Sequence, residues 1–143
     1  MPTDTLSRYS PYALAALRIM TGLLFIPHGT QKLFVWPASE YFPEPVSLFS
    51  LMGVAGVLEL IGGLLVALGL LTRPVAFVLS GFMAAAYFMG HAPQHFLPVV
   101  NMGDAAILFC FVYLYLFFAG PGALSVDGML RPAATNRPAA GSV

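Results

Sequence analysis

Residues 47–71 read SLFSLMGVAGVLELIGGLLVALGLL, an apolar run whose one charged side chain is Glu59. A run of this kind meets the length of about 20 residues that an α-helix needs to cross a bilayer. Working outward, residues 12–35, 74–90 and 102–119 meet or approach the same length, the last two being short. Pro37, Pro43 and Pro45 separate the first two segments, Thr72-Arg73-Pro74 turns the second into the third, and Pro93 and Pro98 interrupt the last connection. Pro74 suits the first turn of a helix, where its missing N–H is harmless. These features predict an all-α, polytopic membrane protein: a four-transmembrane-helix bundle forming one domain over residues 1–131. The tail from 132 to 143, rich in Ala, Pro and small polar residues, is expected to be disordered.

Composition supports a lipid environment. Of 143 residues, 59% are hydrophobic and 8% charged, and the mean hydropathy is +0.84; a soluble domain carries about a quarter charged residues. Six basic residues balance six acidic ones, which argues against a nucleic-acid partner. Cys110 is the single cysteine, so an internal disulfide, a Cys-x-x-Cys pair and a thiolate metal cluster are excluded. Arg8 precedes an apolar run that continues to Phe34 without a small-residue cleavage site, which reads as a retained helix. With four crossings Arg8, Arg73, Arg131 and Arg137 share one side, so the positive-inside tendency puts both termini in the cytoplasm of a bacterial inner (plasma) membrane. Trp36, Glu40, Glu44, His91 and His95 then lie on the opposite side.

Charges inside hydrocarbon cost a few kcal/mol and need partners. Four require one: Arg18, Lys32, Glu59 and Asp104. Each Cβ points toward its own helix N-terminus, so Arg18 and Glu59 lean apart, whereas His28 leans toward the level of Glu59. His28 with Glu59 is the preferred pair. Lys32 and Asp104 end and begin their helices at one level and are expected to pair, with Asn101 also placed to cap the last helix and Asp104 to answer its dipole. Gly22 and Gly29 share the face of Arg18 and Lys32, and Gly56 and Gly63 flank Glu59, as small residues do where membrane helices meet. Pro27 kinks the helix just before His28. One turn separates His91 from His95, but Pro93 stands between them, so no metal or haem site is expected.

His28-Gly29-Thr30-Gln31-Lys32-Leu33, then Gly56-x-x-Glu59-x-x-Gly62-Gly63 running to Gly69-Leu70-Leu71-Thr72-Arg73, and finally Gly120-Pro121-Gly122-x-x-Ser125-x-Asp127 resemble the DoxX family of bacterial membrane proteins over about Leu14 to Leu130. Asp104 stands where many of that family carry a glutamate. Read physically, the closing motif is a helix C-cap, a turn and a short capped segment, with Asp127 expected to pair with Arg18.

The resemblance implies kinship with the small quinone-reactive membrane subunit of archaeal thiosulfate:quinone oxidoreductase. A quinone needs an apolar slot, donors for its carbonyl oxygens and a proton route. In that reading Glu59 and His28 are the catalytic, proton-handling residues, while Gln31 and His91 bind the ligand. Two other readings stay open: a scaffold or assembly subunit whose buried charges fix helix register, and a small-solute transporter acting as an oligomer. The first two readings call for a protein partner or a homo-oligomer besides the lipid bilayer.

Overall fold

The computed structural model describes residues 3–130, so the expected tail, with Arg131 and Arg137, lies outside the described residues. The helices are α1 (Thr3–Ser7), α2 (Ser10–Phe34), α3 (Leu51–Leu68), α4 (Thr72–Ala86), α5 (Pro98–Asn101), α6 (Asp104–Ala119) and α7 (Val126–Leu130), with a π-helical turn at Tyr87–His91 extending α4. No strand forms among the described residues, although Ser39 and Phe42 meet in an isolated bridge. Three helical stretches, Thr5–Phe34, Leu51–Leu68 and Thr72–His91, are long and apolar enough to cross a membrane, and Asp104–Ala119 is a shorter apolar helix.

Local chemistry explains where the observed ends differ from the expected ones. α3 starts at Leu51 rather than 47 because the Ser50 hydroxyl accepts the Gly53 N–H at 3.0 Å, and it stops when Gly69 turns left-handed at φ 69°. α4 begins at Thr72, two residues before Pro74. α6 begins at Asp104 rather than 102 because Met102 takes φ 57°. Asn101 accepts the Gly103 N–H at 2.8 Å and donates to the His95 carbonyl at 2.7 Å, so it organises the turn before α6. α2 stays helical through Pro27.

The chain packs as two hairpins. α2 lies along α3 and α4 lies along α6, while narrower α3–α4 and α2–α6 contacts join the pairs. Glycine sets the first spacing: a Cβ on Gly22 would stand 2.5 Å from the Gly63 carbonyl oxygen, and one on Gly29 would stand 2.6 Å from that of Gly56. Phe25, Val66, Leu79, Met83, Tyr113 and Leu116 fill the centre. Polarity is distributed the opposite way to a soluble protein. Arg18, Lys32, Glu59 and Thr72 are buried, while Leu24, Phe77, Leu108, Phe111 and Phe118 are exposed. That pattern fits an apolar surrounding, where exposed leucine and phenylalanine cost nothing and charge must go inside.

One end of the bundle is held by charged side chains on backbone groups. Arg18, fully buried, donates Nε to the Pro121 carbonyl at 2.8 Å, Nη1 to Val66 at 2.8 Å and to Ala67, and Nη2 to Leu124 at 2.8 Å and Ala123 at 3.3 Å. It thereby satisfies the last carbonyls of α3 and the turn after α6. Asp127 does the reverse, accepting the N–H groups of Leu71 and Thr72, both at 2.8 Å, at the start of α4. Arg18 and Asp127, expected to pair, come to the same end of the bundle, and both bind backbone around Gly69, whose carbonyl accepts the Asp127 N–H at 2.9 Å. A Cβ at Gly69 would stand 2.8 Å from Arg18 Nη1. Arg73 repeats the device on α6, donating Nη1 to Phe117 and Phe118 carbonyls at 2.7 and 2.8 Å.

Two substitutions test this architecture by thermal melting of the detergent-solubilised protein. Gly29→Ala must push α2 from α3 and should cost about 1–3 kcal/mol, whereas Gly81→Ala, with nothing within 4 Å of the new methyl, should be neutral or stabilising. Arg18→Lys cannot serve five carbonyls on two segments and should destabilise by about 3 kcal/mol or more, as severely as Arg18→Met; a melt close to the parent's for Arg18→Lys would refute the clamp.

Candidate functional site

The buried charges of the second polar cluster meet because two antiparallel helices approach at glycine. Gly56 lets the α2 backbone come close enough that a Cβ there would stand 3.1 Å from Lys32 Cβ. Lys32 leans back along α2 and Glu59 leans back along α3, so their tips converge. Lys32 Nζ donates to Glu59 Oε1 at 2.9 Å and Oε2 at 2.7 Å, and to the His28 carbonyl at 3.2 Å. The side chains of this ion pair are 11% and 10% exposed. The Phe42 ring, from the connector after α2, covers the ammonium at 5.2 Å.

This geometry corrects two expected pairings. Glu59 is taken by Lys32 and not by His28, whose contribution to the pair is its backbone carbonyl. Lys32 in turn does not pair with Asp104, which sits exposed in the first turn of α6, where a carboxylate suits the helix dipole. The long lysine stem reaches back one turn along its own helix, a freedom the shorter His28 lacks.

The His28 ring is exposed on the bundle surface and lies against Phe25 at 6.4 Å and Phe109 at 6.2 Å between centroids. The same two phenylalanines contact Tyr113, at 5.2 and 6.0 Å. Phe25 and Phe109 therefore form an aromatic wall that touches both an imidazole and a phenol. Tyr113 is fully buried, and its hydroxyl has no hydrogen-bond partner among the described residues. Thr72 Oγ1 is a second buried oxygen without a partner among them, at the Arg18 end. A surface recess of about 350 Å³ beside it, lined by Leu71, Arg73, Pro121 and Asp127, lies away from the aromatic wall.

Gln31 is half-buried. His91 belongs to another group: its Nδ1 is 2.9 Å from the Asn101 carbonyl and its ring stacks on Tyr87. His95 accepts the Leu97 N–H through Nδ1 at 3.0 Å. Among the described residues no three His, Cys, Asp or Glu side chains converge as metal ligands. Sequence reasoning did not single out Phe42 or Tyr113. Tyr113 carried a usable signal, since a phenol inside an apolar helix needs either an interface or a partner.

Comparison with known proteins identifies the family. Residues 13–92 match the DoxX family. A Haemophilus influenzae protein without assigned function is 41% identical over 87% of this chain and 95% of its own length. The Escherichia coli inner membrane protein YqjF is 32% identical over 80% of this chain and 88% of its own. A Bacillus subtilis protein that carries the provisional name oxidoreductase CatD is 38% identical over 59% of this chain and 70% of its own. No solved structure matches significantly. With its match extending over the paired glycine helices and the Lys32–Glu59 cluster, the chain is a membrane protein belonging to the DoxX family.

Proposed function

We propose that this chain crosses the bacterial inner membrane four times with both termini cytoplasmic, and that it serves as the quinone-interacting subunit of a membrane oxidoreductase system. The orientation is supported by Arg73 at the bundle end that also holds the start of α2, where Arg8 lies close by, and by the acidic residues Glu40 and Glu44 in the connector at the other end. The redox reading is supported by the provisional name of the Bacillus subtilis relative. One observation carries it: the buried hydroxyl of Tyr113, without a hydrogen-bond partner among the described residues, which shares the aromatic wall of Phe25 and Phe109 with exposed His28. An unpartnered buried hydroxyl costs about 1–3 kcal/mol, a cost that a ligand oxygen would relieve.

When bound, a quinone supplies two-electron chemistry coupled to proton uptake. Phe25 and Phe109 offer flat apolar surface, Tyr113 a donor, and His28 a proton-handling group at the bundle surface. Gln31, on the same helix as His28, supplies a further amide. The Lys32–Glu59 pair, joined to the His28 carbonyl, holds α2 and α3 in register and supplies a carboxylate for proton exchange. His91, held by Asn101, has no part in this arrangement. An electron-supplying protein partner completes the system.

The scaffold reading is favoured by a different observation, the full mutual satisfaction of Lys32 and Glu59, since such a pair can fix register without chemistry. Tyr113→Phe separates the two. In nanodiscs, lipid extraction with mass spectrometry should find quinone on the wild type, and Tyr113→Phe should lower its affinity about tenfold, about 1.4 kcal/mol, with the melting temperature unchanged or raised. Absence of quinone from the wild type, or equal retention by Tyr113→Phe, overturns the redox reading. A Lys32→Met/Glu59→Leu double variant that stays folded but no longer co-purifies with a partner would establish the scaffold.

A further inference from the structure

The connector from α4 to α6 has an unusual chemistry for a loop at the end of a bundle. Between Arg73 and Asp104 there is no Asp, Glu, Lys or Arg. Its large apolar side chains are turned outward, with Phe96 89%, Val99 74% and Met102 74% exposed. Its polar side chains are turned onto its own backbone. Gln94 Nε2 donates to the Gly90 carbonyl at 2.6 Å and Asn101 Nδ2 to that of His95 at 2.7 Å. Asn101 Oδ1 accepts the Gly103 N–H at 2.8 Å, His95 Nδ1 accepts the Leu97 N–H at 3.0 Å, and His91 Nδ1 bonds with the Asn101 carbonyl at 2.9 Å. A loop in water has no need of this internal supply of partners, whereas non-helical backbone at membrane depth does.

Helix length gives an independent reason. α6 has 16 residues, about 24 Å at 1.5 Å per residue, against a hydrocarbon layer about 30 Å thick. Unless the bilayer thins, the remaining distance must be filled by the segments that flank the helix. Arg73 already holds the last turn of α6, and beyond Ala119 the chain enters the Arg18 clamp, so the uncharged connector before Asp104 is the segment available. The connector after α2, at the same end, differs in carrying Glu40 and Glu44.

We propose that residues 96–102 are embedded in the hydrocarbon layer, with lipid acyl chains as the partner of Phe96, Leu97, Val99, Val100 and Met102. The inference goes beyond the redox reading and rests only on its premise that α6 crosses the bilayer. It is tested on the full chain in liposomes, in a Cys110→Ala background, by attaching a nitroxide at Val99→Cys or, should that variant not fold, at Met102→Cys. Tyr115→Cys on exposed α6 surface is the lipid reference and Glu44→Cys the aqueous one. Collisions with a water-soluble nickel chelate should be about tenfold fewer at Val99 than at Glu44, because the polar chelate is excluded from hydrocarbon, while collisions with oxygen match those at Tyr115. Nickel access equal to that at Glu44 overturns the embedding. Exclusion of both nickel and oxygen also overturns it, showing a protein surface there instead of lipid. Nickel access at Tyr115 itself overturns the crossing of α6, and the embedding with it, and is recognised separately by that reference label.

Discussion

Arg18 is a fully buried guanidinium whose five hydrogen bonds all end on backbone carbonyls, belonging to the last turn of α3 and to the chain beyond α6. In water, the end of a helix is satisfied by solvent; in hydrocarbon it is satisfied by protein or not at all. The planar guanidinium suits this work because it presents its donors in a fixed fork and remains charged. With Asp127 on the N–H groups of α4 and Arg73 on the carbonyls of α6, charged side chains close one end of the bundle. The positions of α3, α4 and α6 relative to α2 follow from these attachments.

Toward the opposite end the same helix pair is joined by a different means. Glycine contacts bring α2 and α3 close enough for Lys32 and Glu59 to form a two-oxygen contact. Glycine and charge depend on each other here. A wider helix separation would pull the tips apart, and an unpaired ammonium or carboxylate in this setting would be strongly unfavourable. Phe25 and Tyr113 connect the hairpins through aromatic packing, so the wall and the core are one continuous assembly.

Much of the architecture was legible in the sequence because long apolar runs between prolines have few alternatives. The glycine faces were legible too, since Gly22, Gly29, Gly56 and Gly63 recur at helical spacing. The pairing of charges was not. The direction rule placed Glu59 correctly, but lysine can snorkel outward or fold back along its own helix, and only the close approach at Gly56 decides for the second. Asp127 was assigned to the right end, but its bonds to the start of α4 were not legible, because the left-handed turn at Leu71, φ 51°, presents two N–H groups that composition does not reveal. Tyr113 was hidden among neighbouring aromatics: Tyr115, Phe111 and Phe118 are exposed while Tyr113 is fully buried, a difference set by tertiary contact.

The Arg18 clamp has a consequence for how the protein is made. Its farthest acceptor, Leu124, is separated from it by 106 residues. At translation rates of about 5–20 residues per second, roughly 5–20 s pass between synthesis of the donor and synthesis of that acceptor. During this interval α2 carries a cation whose last partners do not yet exist. The insertion machinery, the lipid headgroups or water must shelter it meanwhile, and the nascent chain becomes self-sufficient only when the closing turn emerges, so the clamp cannot close while the helices alone are inserted.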